Sequence, residues 1–149
     1  MTDSRIYPKR PIVAASAVIL NSEKKILIVR RAKSPGKGLW SLPGGAVKLG
    51  EKLEEALRRE IQEECGISIE IKKLIGAFDR IFFDGQNKVK YHYVILDYLC
   101  FTDADKIIPT SDVDDYAWIT LKEIGNYEFT TGVKDFLMEV LEQNLFLIN

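Results

Sequence analysis

The stretch GGAVKLGEKLEEALRREIQEECGI, Gly44–Ile67, decides how this chain is read. On a helical wheel at about 100° per residue, Leu53, Ala56, Leu57 and Ile61 gather on one face. That face is a core stripe. Glu60 and Glu64 fall within its arc, and Glu63 lies at its border. The three glutamates are related as i, i+3 and i+4, so they are neighbours in space. Like charges at that spacing repel, and half-buried carboxylates are costly unless something positive meets them. Two readings stand at this point. One is a surface helix laced with i,i+4 ion pairs. The other is a carboxylate cluster for hard cations, since glutamate oxygens suit magnesium or manganese bridged to phosphates.

Working outward, the helix is expected over Lys52–Cys65, with Gly66 at its C-terminal stop. Upstream, Ile12–Leu20 reads as a strand, NSEKK as a turn, and ILIVRR as a second strand pairing back as a hairpin. AKSPGKG is a loop, and LWSLPGG a short extended piece broken at Pro43. Downstream, Ile67–Asp79 and Lys90–Phe101 read as long strands joined by the turn-rich FDGQNK. Tyr116–Ile119 is a short strand, LKEIG one helical turn, and Val133–Leu145 the last helix. Strands, helix, strands, helix is an α/β (α+β) order with a partly antiparallel sheet.

The 149 residues suit one domain, 1–149, with 46% hydrophobic and 29% charged residues, which is ordinary for a soluble protein. A formal net charge of −1 gives no non-specific grip on nucleic acid or an anionic membrane. MTDSRIYPKRP has no apolar core and does not read as a signal peptide. The run IVAASAVIL is too short to span a bilayer. Cys65 and Cys100 make no zinc or redox spacing and read as buried free thiols in a reducing cytoplasm.

The residues flanking the glutamates resolve the two readings. Gly45, Glu51, Arg59, Glu60, Ile61, Glu63, Glu64, Gly66 and Ile67 match every fixed position of the Nudix hydrolase signature, which this stretch resembles. Chance coincidence at average residue usage is on the order of 10⁻⁹ per window. The lead-in ILIVRRAKSPGKGLWSLPGG is also similar to the family, and the likeness fades after about Ile81. The resemblance implies an α/β/α sandwich around a central mixed sheet, with the signature as a loop-helix-loop. It implies Mg2+- or Mn2+-dependent hydrolysis of a nucleoside diphosphate linked to another moiety. Carried over by position, Glu60, Glu63 and Glu64 bind metal with the Gly45 carbonyl. Arg59 pairs with Glu51 to fix the loop, while Gly44 and Gly66 support the site. Arg31 matches a position that often contacts substrate phosphate, as a guanidinium fork suits. Arg30 should point to the opposite face. The base that activates water is one of the signature glutamates or a later acid, with Asp112, Asp114, Asp115, Glu123 and Glu128 all available.

Trp40 reads as packing rather than base stacking, and His92 as a strand histidine or a substrate contact. The long strands after the signature look most like the group described as ADP-ribose pyrophosphatases. The alternatives are a nucleoside triphosphate pyrophosphohydrolase and a catalytically inactive nucleotide-sensing module. The intact carboxylates and the lack of an attached DNA-binding segment argue against the last. The expected partner is a small nucleotide, with no nucleic acid polymer and no membrane. Many relatives are dimers, so a homodimer is an analogy.

Overall fold

A computed structural model describes residues 5–143. Its elements are β1 (Ile12–Leu20), β2 (Ile26–Arg31), β3 (Trp40–Ser41), β4 (Gly44–Ala46), α1 (Leu53–Cys65), β5 (Glu70–Phe83), β6 (Val89–Phe101), β7 (Val113–Ile119), a 3₁₀ turn (Leu121–Asn126) and α2 (Val133–Gln143). The expected end of the last helix, at Leu145, lies outside the described residues.

The strands form one sheet in the order β3-β2-β1-β6-β5, with β4 added on β1 and β7 on β2. β1 runs parallel to β6 over Ile12–Leu20, whereas the other pairings are antiparallel. The sheet is therefore mixed. β1 is central and covered on both sides, which is why it reads as an apolar run rather than an alternation. Ala15, Ala17 and Ile19 face a core that includes Leu57, Ile61 and Cys65 of α1. Val18 and Leu20 face the opposite core, with Phe136, Leu137, Val140 and Leu141 of α2. One helix thus covers each face, giving the expected α/β/α sandwich. Ile61 and Leu137 are fully buried, and truncating either to alanine should cost about 2–5 kcal/mol.

The β1–β2 hairpin departs from the expectation in a way that matters. The two strands are in register only at Leu20 and Ile26. Beyond that point they splay. β2 pairs along its length with β7, from Ile26–Ile119 to Arg31–Val113. The freed edge of β1 takes β4, with Ala14, Ala15 and Ser16 opposite Ala46, Gly45 and Gly44. The wedge brings the start of the signature loop against the middle of the sheet. β5 also starts and ends later than expected. Ile67 leaves the helix and packs in the α1-side core, and the ladder continues to Phe83 opposite Val89. The turn closing β5–β6 is held by Asp84, which accepts from the Gln86 and Lys88 N–H groups at 2.8 and 2.9 Å.

Candidate active site

The helix ends resemble the sequence reading. Lys52 caps the N-terminus with extended backbone, and the chain turns left-handed at Gly66, whose N–H donates to the Gln62 carbonyl. Ala56, Leu57, Ile61 and Cys65 are buried, and Leu53 is partly buried beside the same core. The Glu60 side chain is 18% exposed and that of Glu63 is 58% exposed. The carboxylates thus sit on the rim of the core stripe, with Glu63 outermost.

β4 meets this rim. Gly44 has φ of 153°, and a Cβ there would lie 2.2 Å from the Ala15 carbonyl oxygen. Only glycine fits that approach. Its N–H donates to Glu64 Oε1 at 2.8 Å. Gly45 lies directly against Glu60, since an added Cβ would fall 2.4 Å from the Glu60 carboxylate. The loop after β4 is tied down by Arg59. Its guanidinium is bidentate on Glu51, at 2.7 and 2.9 Å, and donates to the Ala46 carbonyl at 3.1 Å. The same guanidinium reaches Glu60 at 2.7 Å and Glu63 at 3.2 Å. Bonding to Arg59, helped by the Lys48 N–H, holds the Glu51 carboxyl down at about 2. Neighbouring Arg58 makes only an exposed 3.8 Å contact to Glu54.

Glu64 is the strained member of the set. Burial, with Glu60 adding, pushes its carboxyl up to about 8 against the opposing pull of the Gly44 N–H and Arg31. Hard oxygen donors, a glycine cradle against Glu60 and a half-buried carboxylate at Glu64 short of positive charge suit a divalent cation. Among the described residues no three such side chains already surround a common point. Glu60 and Glu63 both accept from Arg59, and the donor chemistry of the set fits a divalent cation.

These glutamates form one wall of a cavity of about 270 Å³ that also takes in Arg31, Arg80 and Asp112. Arg31 is half-buried, and burial lowers its pKa while Glu64 opposes that shift. Its Nε donates to the Pro35 carbonyl. Arg30 points the other way, to Asp114 at 2.6 Å and over the Trp40 ring at 5.9 Å. Trp40 packs edge-on against Tyr127 with centroids 5.1 Å apart, so its part is structural. His92 does not line the cavity. Of the five later acids, only Asp112 does, with Lys33 2.8 Å away. Asp114 and Asp115 contact Arg30, and Glu123 closes the capping box of the 3₁₀ turn with Thr120.

Comparison with known proteins identifies the family. A family model for the NUDIX domain matches residues 10–140. The chain belongs to the Nudix family. An ADP-ribose pyrophosphatase of Methanocaldococcus jannaschii is 40% identical over 93 residues, 62% of this chain and 54% of that protein. The chain therefore spans only about half of that relative's length. The nucleoside triphosphatase NudI of Klebsiella pneumoniae is 30% identical over 125 residues, covering 78% of this chain and 87% of that one. The MutT protein of Methanosarcina mazei superposes with a TM-score of 0.77 at 26% identity, covering 91% of this chain and 97% of the other. The first two of these relatives are named for cleavage of phosphoric anhydrides, and the protein is a hydrolase acting on pyrophosphate bonds. Nudix hydrolases generally use divalent metal ions. No helix among the described residues is long and apolar enough to cross a membrane.

Sequence reasoning missed Arg80 and Asp97, and it read Tyr93 only as one of several aromatics that are core by default. Arg80 and Tyr93 line the cavity, and Asp97 lies behind them with no exposed surface. Asp97 had a signal in VILDYLC, where a charge interrupts a buried strand.

Proposed function

We propose that the protein hydrolyses the diphosphate bridge of a nucleoside diphosphate linked to another moiety, of the ADP-ribose type, with magnesium or manganese. The observation that carries this reading is a single cleft with two poles. Glu60, Glu63 and Glu64 line one wall, and the cations Arg31 and Arg80 line the same cavity. A diphosphate has anionic oxygens for both poles. The 40% identity to an ADP-ribose pyrophosphatase favours that substrate type.

In this reading, Glu60, Glu63, Glu64 and the Gly45 carbonyl hold the cation, which supplies charge neutralisation at the diphosphate. Arg31 binds and orients a phosphoryl group through its fork. Arg59 keeps the loop and helix in register through Glu51, so Gly45 stays against Glu60. Water attacks one phosphorus of the bridge, the P–O–P bond breaks, and the proton passes to a carboxylate of the cleft. Glu64 and Asp112 are the two candidates for that proton. With ADP-ribose the products are AMP and ribose 5-phosphate.

A second reading has its own support, because the NudI relatives align over most of both chains. It is removal of pyrophosphate from a nucleoside triphosphate. A substrate panel in magnesium, with products separated by chromatography, decides between them. AMP and ribose phosphate from ADP-ribose support the first. A nucleoside monophosphate and pyrophosphate support the second. Tight binding without turnover of either would overturn both in favour of a sensing role.

A further inference from the structure

Arg80 and Asp97 are charged residues inside the sheet, and the Nudix signature accounts for neither. Arg80 on β5 is 8% exposed and Asp97 on β6 is 0% exposed. Arg80 is in register with Tyr93, and Asp97 with both Gly76 and Ser16. Side chains alternate along a strand, so Arg80, Tyr93, Asp97 and Ser16 share one side of the sheet. That side opens into the cleft at Arg80 and Tyr93.

A buried arginine beside a buried aspartate is usually a closed ion pair. Here the pair is left open. Among the described residues, Arg80 Nε and Asp97 Oδ2 both lack a hydrogen-bond partner. The other Asp97 oxygen accepts from the Ser16 hydroxyl. The Arg80 guanidinium lies over the Phe78 ring, 5.4 Å from its centroid. Burial and the nearby charge of Arg31 pull its pKa down to about 10, and Asp97 opposes them. Two guanidinium groups crowded in one half-dry cleft repel, and each is costly to desolvate without an anion. An oxyanion placed between them removes both penalties, and a bond to it from a buried guanidinium is charge-assisted.

We propose that Arg80 is a second substrate-binding cation, gripping together with Arg31 the phosphoryl group that the glutamates do not hold. Asp97, anchored by Ser16, is a positioning residue that keeps the Arg80 guanidinium turned to the cleft. This deepens the proposed function and rests on it.

Binding, measured apart from turnover, tests the assignment. Titration calorimetry in magnesium would use α,β-methylene ADP-ribose and α,β-methylene ATP on the wild type, Arg80→Gln, Arg80→Lys, Asp97→Asn and the double variant Arg80→Gln/Asp97→Asn, with melting curves alongside. Arg80→Gln should weaken binding at least about tenfold, the scale of one lost charge-assisted bond. Arg80→Lys should recover part of it. Asp97→Asn should weaken binding less than Arg80→Gln does. The double variant should bind no more weakly than Arg80→Gln, because Asp97 acts through Arg80. Wild-type affinity in Arg80→Gln overturns the proposal. So does a loss that Arg80→Lys does not recover and that tracks a falling melting temperature. Wild type that binds only the triphosphate analogue rejects the ADP-ribose reading, and Arg80 is then judged on that analogue. Wild type that binds neither overturns both.

Discussion

Adding magnesium to the metal-free protein should raise its melting temperature, and Glu64→Gln should remove most of the gain. Arg59 is shared among Glu51, Glu60 and Glu63. Among the described residues, Glu64 has the Gly44 N–H as its one hydrogen-bond partner, with Arg31 contributing through its charge. A divalent ion bound only by the native state stabilises by mass action, about 2.7 kcal/mol at a hundredfold excess over the dissociation constant. For a chain of this size that corresponds to about 5–11 °C. Glu64→Gln keeps the side-chain volume and an oxygen to accept from the Gly44 N–H, but loses the charge. If affinity falls about a hundredfold, the same magnesium concentration only equals the new dissociation constant, and the gain shrinks to about 0.4 kcal/mol. In chelator the variant should melt no lower than wild type, because it relieves a buried carboxylate next to Glu60. Scanning calorimetry of both proteins, with chelator and with excess magnesium, checks this. A wild type indifferent to magnesium, or a variant that gains as much, would refute the cation assignment and leave the glutamates as partners of Arg59 alone.

Three other outcomes are expected. Glu63→Gln should lower the turnover rate at least about 10²-fold with an unchanged melting curve, since Glu63 is exposed yet placed to hold charge in the transition state; near-wild-type turnover would count against its role. Arg59→Ala should lower both activity and melting temperature, whereas Arg58→Ala should change little, because Arg59 ties Glu51, Ala46 and Glu60 together and Arg58 has one exposed contact; paired assays giving equal values for the two variants would remove Arg59 as organiser. Asp97 is pushed up to about 6 by burial, against its bond from Ser16 and the charge of Arg80. Its folded pKa lies above the ordinary 3.8, so the native state keeps the proton longer than the unfolded chain, and stability declines as pH rises through that window. Urea midpoints of wild type should therefore fall relative to Asp97→Asn between about pH 4 and 6 and run parallel above it; a constant difference across that range would contradict the shift.

The signature helix was legible because its information is local. The wheel put Glu60 and Glu64 on the core-side arc, and the structure places them on that rim with Glu63 outside it. The Arg59–Glu51 pair was legible only through the resemblance, since the two positions lie eight apart in sequence, across loop and helix. The splay of β1 from β2 was not legible. It depends on the insertion of β3 and β4, with Ser41 and Trp40 taking the β2 edge opposite Val29 and Arg30 and Gly44–Ala46 taking the freed edge of β1, a pairing that no local pattern announces. For the same reason the five later acids looked equivalent until β7 carried Asp114 and Asp115 toward Arg30 and left Asp112 at the cleft.

Arg80 and Asp97 belong to a different case, because each breaks its own strand pattern. In AFDRIFF and VILDYLC a charge stands where burial is expected, which is the same kind of violation that drew attention to Glu60 and Glu64. A buried charge without a full set of partners is retained against its desolvation cost only where something offsets that cost. The helix violations are met by Arg59 and, in the proposed function, by a cation. The strand violations are met by Ser16 and by each other's charge, with Arg80 Nε and Asp97 Oδ2 left over. Both sets converge on one cavity. In the proposed function, a nucleoside diphosphate with a divalent ion would bring positive charge to the glutamate wall and negative charge to Arg31 and Arg80, so one ligand complex would offset the charges of the glutamates and of Arg80, while Asp97 stays held by Ser16 behind them.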